Sequence, residues 1–104
     1  MVQVIWTEPA LKDLDDIVRH ISEDSSVYAE RFAISIVEAP RRLEKFPRSG
    51  RMTPEFEKAG IRELIFGSYR IIYVIRKNSC YIVAVVHGSR DILRHLKPGA
   101  CDVA

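Results

Sequence analysis

The chain has 104 residues, of which 47% are hydrophobic and 29% charged, as is typical of one globular domain and unlike a disordered or fibrous protein. Lys and Arg number 16 against 14 Asp and Glu, so the formal net charge of +2 is weaker than that of dedicated nucleic-acid-binding domains. Cys80 and Cys101 lie in no metal-ligand spacing, and the longest apolar run, residues 81–86, is far shorter than the ~20 residues that cross a bilayer. We therefore expect a single cytoplasmic domain over residues 1–104, with no metal, no cofactor and no membrane association.

The first part of the chain predicts a strand and an amphipathic helix. Residues 2–6 are β-branched and roughly alternate, which is typical of a strand. Thr7 is a suitable N-cap for the helix that follows. Apolar residues then recur every three or four positions, at Leu11, Leu14, Ile17, Val18 and Ile21. The face that carries Asp13, Asp15 and Asp16 is expected to be solvated.

A second helix is predicted after the break at Ser25 and Ser26, where a new N-cap is available. The interior Pro40 removes one hydrogen bond, so we expect a bend near Ile36 and a helix that resumes through residues 41–43. Two helices joined by so short a break predict an antiparallel hairpin. The expected buried side of the second helix consists of Ala29, Phe32, Ala33, Ile36, Pro40, Leu43 and Phe46.

The second half of the chain predicts a loop over residues 47–56 and then three strands. Ile61–Phe66 and Tyr69–Arg76 are expected to form a hairpin because Gly67 and Ser68 suit a two-residue type II′ turn, which pairs residue 66 with 69 and residue 63 with 72. The third strand, residues 80–87, is apolar on both faces, as is typical of a central strand. A short helix is predicted over residues 90–96, and residues 97–104 are expected to form a flexible tail.

The predicted order is therefore β-α-α-β-β-β with a short terminal helix. This is an α+β fold in which the helical hairpin packs on one face of a small, mostly antiparallel, twisted sheet. We expect the face against the helices to carry Arg62, Leu64, Phe66, Tyr69, Ile71, Tyr73 and Ile75. The other face, expected to be partly open to solvent or to a partner, carries Ile61, Glu63, Ile65, Arg70, Ile72, Val74 and Arg76.

Arg70 on that second face has two interpretations. It pairs with its diagonal neighbour Glu63, or it is held rigidly to bind a phosphate or an acidic surface. A second candidate is the segment 87–91 (HGSRD) after the last strand, which is either a simple strand end with a glycine turn and a helix cap, or a set of polar groups presented from a rigid base. A third group, Arg41, Arg42, Arg48 and Arg51, makes the end of the second helix and its loop basic and is expected to be mainly solvated.

Several segments together resemble the RelE/ParE superfamily of bacterial toxins from type II toxin–antitoxin operons. They are residues 5–10 (IWTEPA), 46–51 (FPRSGR), 61–64 (IREL), 69–73 (YRIIY) and 86–91 (VHGSRD). The order and spacing of these segments carry the resemblance, which covers almost the whole chain. It implies the same β-α-α-β-β-β fold that the periodicity predicts.

RelE-like members of this superfamily cleave messenger RNA in the ribosomal decoding site. They use basic residues on the open sheet face, an arginine that stabilises the transition state, and a late general base that is commonly a tyrosine. Arg70 and Arg90 match the family arginines, but Ile61 and Glu63 occupy the positions of the strand lysines, and His95 and Leu96 stand where the tyrosine is expected. Under this alternative the catalytic residues would be Arg70, Arg90 and a histidine, either His87 or His95.

ParE-like members poison DNA gyrase by trapping its cleaved DNA complex, without a reaction of their own. The Pro-x-x-Gly-Arg loop and the His-x-x-Arg-Asp ending match this branch better. The resemblance implies a gyrase inhibitor that is neutralised by a ParD-like antitoxin in a hetero-oligomer and does not itself bind nucleic acid sequence-specifically. A toxin that only binds its antitoxin remains a further alternative.

The resemblance also suggests which residues meet these partners. The expected target contacts are Arg70, His87, Arg90, Asp91 and Arg94. The expected antitoxin contacts are the apolar residues of the open sheet face, Ile61, Ile65, Ile72 and Val74.

Overall fold

A computed structural model of the protein describes residues 1–54 and 60–89. Its elements are β1 (Gln3–Trp6), α1 (Glu8–Ser22), α2 (Ser26–Glu38), a 3₁₀ helix (Ala39–Glu44), β2 (Arg51–Met52), β3 (Ile61–Phe66), β4 (Tyr69–Arg76) and β5 (Ser79–His87). The two helices pack on a five-stranded sheet, so the predicted α+β fold is confirmed. The helix predicted over residues 90–96 and the tail over residues 97–104 lie outside the described residues.

The sheet has the strand order β1-β5-β4-β3-β2. The β3–β4 hairpin has the predicted register, with Phe66 opposite Tyr69 and Glu63 opposite Ile72. Gly67 adopts φ +57°, which a type II′ turn requires at its first central position. Two features were not predicted, namely the short edge strand β2 and the parallel pairing of β1 with β5. The parallel pairing makes β5 central, as its two apolar faces indicate.

The main core lies between the helices and the sheet. Leu64, Ile71 and Tyr73 of the β hairpin pack there with Leu14 of α1 and with Phe32 and Ile36 of α2. The face predicted to lie against the helices is therefore confirmed. Two residues of the predicted helix stripes are not buried, since Leu11 is 48% and Phe46 64% exposed.

The opposite face of the sheet carries a second apolar cluster. Its buried members come from β3, β4 and β5, and they are Ile61, Ile72, Val74, Val83, Ala84 and Val86. A β-bulge contributes to it, because Ile72 pairs with Ala84 while Tyr73 pairs with Ile82, which leaves Val83 as the extra residue. The expectation of an open face is thus wrong for Ile61, Ile72 and Val74, whereas Ile65 is 57% exposed.

The segment after α2 is a 3₁₀ helix and not a resumed α-helix. Pro40 has no backbone N–H to donate to the carbonyl four residues earlier, so the α-helical ladder cannot continue through it. The chain tightens instead into the 3₁₀ helix from Ala39 to Glu44, in which residues three apart lie above one another. Pro40 and Leu43, one such turn apart, are both buried.

Two side chains attach the start of α1 to β5. Thr7 caps the helix as predicted, accepting from the N–H of Ala10 at 3.4 Å, and its hydroxyl also donates to the carbonyl of Ile82 at 2.7 Å. Asp13 was expected to be solvated, but its Oδ2 accepts from the N–H of Val85 at 3.0 Å. The last residue pair between β1 and β5 is Trp6 with Ile82. Val85 therefore lies beyond the end of β1, and its N–H donates to Asp13 instead.

Candidate functional site

Arg70 and Glu63 form a buried ion pair on the sheet face opposite the helices. They belong to neighbouring strands and are diagonal in the β3–β4 register, where long side chains reach each other. Arg70 Nε lies 2.9 Å and Nη2 2.5 Å from Glu63 Oε1. The side chain of Arg70 is 6% exposed and that of Glu63 is 0% exposed. The interpretation of Arg70 as a paired sheet arginine is therefore confirmed.

Arg51 approaches the same carboxylate from the edge of the sheet. Strand β2 places Arg51 directly opposite Glu63, and Arg51 Nε lies 2.5 Å from Glu63 Oε2. Its side chain is 59% exposed, so one end of this cluster reaches solvent. Two guanidinium groups share the carboxylate of Glu63, and the exposed one is that of Arg51. Sequence reasoning missed this role, although the Pro-x-x-Gly-Arg loop marked the residue.

His87 does not join Arg70. It is exposed at the end of β5, directly opposite Tyr69, and the two rings meet edge to face with centroids 5.7 Å apart. Tyr69 packs on the helix side of the sheet, whereas Arg70 lies opposite Val86 of the second cluster. Because directly opposed residues share a face, the side chains of His87 and Arg70 lie on opposite faces of the sheet.

The ring of His87 is engaged locally. Its Nδ1 accepts from the backbone N–H of Ser89 at 3.3 Å and lies 2.9 Å from the Ser89 hydroxyl. This is the strand-end and turn arrangement that the simpler interpretation of the segment predicts. Four further predicted site residues, Arg90, Asp91, Arg94 and His95, lie outside the described residues.

A buried tyrosine fixes the loop that precedes β2. The hydroxyl of Tyr73 donates to the carbonyl of Pro47 at 2.7 Å and accepts from the N–H of Gly50 at 3.0 Å. Burial raises the pKa of the Tyr73 phenol above its usual value of 10.0. Arg62 adds hydrogen bonds from Nη1 to the carbonyls of Gly50 at 2.8 Å and Arg48 at 3.3 Å. The loop is therefore held from within by two adjacent strands.

Position 50 requires glycine because the loop backbone there lies very close to Tyr73 and Glu63. A Cβ at this position would lie 2.6 Å from the Tyr73 hydroxyl oxygen and 2.7 Å from the backbone oxygen of Glu63. Residues 46–49 beside it line a shallow surface depression of about 400 Å³. The loop thus presents Phe46, Arg48 and Arg51 from a rigid base.

Within residues 1–54 and 60–89, no three His, Cys, Asp or Glu side chains are grouped as a metal site would require. Cys80 is a free thiol in the main core, and burial raises its pKa. None of the helices in these two ranges is both long enough and apolar enough to cross a membrane.

Comparison with known proteins places this arrangement in a family. Residues 4–92 match the family described as the ParE toxin of the type II toxin–antitoxin system parDE. A protein named toxin RelE2 from Caulobacter vibrioides is 34% identical over 91 residues, which cover 86% of this chain and 99% of that protein.

Two solved structures share the fold. A chain of the chromosomal ParDE system from P. aeruginosa superposes with a TM-score of 0.72 at 22% identity, over 84% of this chain and 96% of that one. A chain of the toxin–antitoxin complex RelBE2 from Mycobacterium tuberculosis superposes with a TM-score of 0.61 at 27% identity, over 83% of this chain and 96% of that one. With a family match over most of its length and a relative at 34% identity, the chain belongs to the ParE toxins of type II toxin–antitoxin systems, within the RelE/ParE superfamily.

Proposed function

We propose that this toxin acts by binding DNA gyrase and trapping its cleaved DNA complex, not by cleaving RNA. The observation that carries the proposal is the placement of Arg70 and His87 on opposite faces of the sheet. An endoribonuclease needs a general base at the attacking 2′-hydroxyl and a cation at the same phosphate. These two side chains cannot reach one phosphate from opposite sides of a sheet, which argues against His87 as a base that acts beside Arg70.

The surroundings of Arg70 also favour a binding function over catalysis. Its guanidinium is 6% exposed and paired with Glu63, so its charge is already compensated inside the fold. Ile61, at a position where RelE-like toxins would carry a lysine, is buried in the second apolar cluster. An inhibitor that works by binding needs neither an exposed arginine nor a base. The gyrase target itself comes from the ParE branch that the sequence matches best.

We further propose a ParD-like antitoxin as the partner that neutralises the toxin, in a hetero-oligomer. The two solved relatives are a ParDE system and a RelBE2 toxin–antitoxin complex, which supports an antitoxin for this chain as well. Of the four antitoxin contacts predicted from the sequence, Ile65 is the one whose side chain is exposed, at 57%. An apolar side chain so exposed beside the buried Arg70 is a natural contact for an antitoxin segment.

A gyrase assay tests the main proposal. Purified, antitoxin-free toxin is added to gyrase and plasmid, and supercoiling and DNA cleavage are followed together. Accumulation of linear plasmid covalently linked to gyrase is expected, and addition of the antitoxin should reverse it. Unaffected supercoiling at a large excess of folded toxin would overturn the proposal.

The alternative is a RelE-like, ribosome-dependent endoribonuclease. It is favoured by the names of two relatives, RelE2 at 34% identity and RelBE2 at 27%. The same preparation should then cut messenger RNA on translating ribosomes, and Arg90→Ala should abolish the cutting in a protein that remains folded. A toxin that is silent in both assays but still binds its antitoxin would be an inactive member of the family.

A further inference from the structure

The 3₁₀ helix and the turns after it sort their side chains into rows. With three residues per turn, side chains at positions i and i+3 lie above one another. One row, Pro40 and Leu43, is buried. Arg42 lies in this helix, Lys45 caps its C-terminus and Arg48 lies in the next turn; all three are exposed, and we call them the basic row.

Backbone hydrogen bonds hold the turns that carry the basic row. The N–H groups of Lys45 and Phe46 both donate to the carbonyl of Arg42, at 3.3 and 2.9 Å. The N–H of Ser49 then donates to the carbonyl of Phe46 at 3.0 Å. At about 2 Å of rise per residue in a 3₁₀ turn, Arg42 and Lys45 are separated by about 6 Å. This separation is comparable with the spacing of successive phosphates along a nucleic-acid strand.

The three cations of the basic row are uncompensated. Arg41 pairs with Glu38 and Arg51 with Glu63, but the basic row has no ion pair among the residues that the structure describes. Residues 41–51 hold five Lys and Arg against the single carboxylate of Glu44, a net charge of +4 in a chain whose total is +2. The remainder of the chain is thus net negative by two charges. The net positive charge of the chain is therefore concentrated in this segment.

The segment is also held in place from below. Val2, which directly precedes β1, donates its N–H to the carbonyl of Glu44 at 3.0 Å. Tyr73 fixes the following loop through hydrogen bonds with Pro47 and Gly50. Phe46, next to Lys45, projects a ring that is 64% exposed. Surfaces that bind single-stranded nucleic acid combine two components. Fixed cations contact the phosphate backbone, and an exposed aromatic ring stacks on a base.

We propose that the basic row is a contact site for the phosphate backbone of a nucleic-acid strand. The contact is independent of base sequence, because the row presents charges only. A nucleic acid fits this surface better than an acidic protein does, because it offers both phosphates to the three cations and bases that can stack on the ring of Phe46. The proposal does not depend on which target the toxin has. The same row would contact DNA at gyrase or RNA at the ribosome.

The test is binding of the antitoxin-free toxin to a fluorescein-labelled DNA strand and to its duplex, measured by anisotropy with neither gyrase nor ribosome present. Three phosphate contacts predict a slope of log affinity against log salt of about −2.7 for the duplex, so affinity should fall about 40-fold between about 50 and 200 mM salt. For the single strand the expected loss is about 20-fold. The larger affinity identifies which form the row prefers.

The variant R42A/K45A/R48A should lose this binding and its salt dependence. The matched control is K12A/R19A/R31A, which removes three exposed cations from α1 and α2 and changes the net charge by the same amount. The control should bind as the unaltered toxin does, and circular dichroism should show all three proteins folded. Equal loss in both variants, or no binding by the unaltered toxin at about 50 mM salt, would overturn the proposal. Binding to poly-glutamate but not to DNA would also overturn it, in favour of an acidic protein partner.

Discussion

Glu63 and Arg70 form an ion pair between adjacent strands in which both side chains are buried, with Arg70 Nε 2.9 Å from Glu63 Oε1. Removing Glu63 takes away the carboxylate oxygen that accepts from both Nε and Nη2 of the buried Arg70. We expect Glu63→Ala to lower the free energy of unfolding by about 3–5 kcal/mol. Arg51 bonds the same carboxylate from a position that is 59% exposed, so Arg51→Ala should cost less than about 1 kcal/mol. Urea unfolding measures both, and equal losses would contradict the assignment of Arg70 as the buried partner.

The pKa of Tyr73 predicts how stability responds to alkali. Burial favours the neutral phenol and raises its pKa above 10.0, so the folded chain keeps this proton to higher pH than the unfolded chain. The stabilisation is fully present below pH 10 and is lost as the pH rises through the raised pKa. Tyr73→Phe should remove this part of the decline, while costing about 1–3 kcal/mol at neutral pH because Gly50 N–H and Pro47 C=O lose their partner.

Unfolding curves of the unaltered protein and of the Tyr73→Phe variant, from neutral pH to above pH 10, test this. Cys80, whose buried thiol also has a raised pKa, is present in both proteins, so its contribution cancels in the comparison. If the decline in stability is equally steep in the two proteins, the buried phenol is not its source.

The bond from Asp13 to Val85 predicts a difference between two neighbouring acidic residues. Asp13→Ala leaves the N–H of Val85 without this acceptor at 3.0 Å and should cost about 1–3 kcal/mol. Asp16→Ala, on the exposed side of the same helix, should change stability by less than about 0.5 kcal/mol. Thermal unfolding of both variants gives the comparison. Similar small effects would mean that the bond contributes nothing to stability.

Gly50 makes a steric prediction. A Cβ there would lie 2.6 Å from the Tyr73 hydroxyl oxygen and 2.7 Å from the Glu63 backbone oxygen, so either the loop or the strand must move. We expect Gly50→Ala to destabilise the protein by about 1–3 kcal/mol. Gly88→Ala is the milder control, since its nearest non-neighbouring atom would be the Ser68 backbone oxygen at 3.2 Å. Denaturant midpoints that rank the two variants in the reverse order would refute the close packing at Gly50.

Local features of the fold could be read from the sequence. The two-residue turn at Gly67 fixes the β3–β4 register, and that register in turn places Glu63 diagonal to Arg70. The 3.6-residue periodicity of α1 likewise identifies its stripe. Each of these follows from residues that are close together along the chain.

Long-range features could not be obtained in this way. Nothing in residues 2–6 indicates that β1 pairs in parallel with β5, and Asp13 can accept from Val85 because β1 ends at Trp6, opposite Ile82. An apolar face also has the same pattern whether it is buried within the fold or open to a partner, which is why Ile72 and Val74 were misplaced. The separation of Arg70 from His87 depends on strand pairing, not on either residue.

The parallel pairing of the first strand with the last has a consequence in time. Strand β1 is made at the start of synthesis, but its neighbour β5 is complete only at His87. At about 5–20 residues per second, the roughly 80 residues between them take about 4–16 s to translate. The sheet cannot close around its central strand before then. A ribosome that makes this toxin therefore carries β1 without its neighbouring strand throughout that interval.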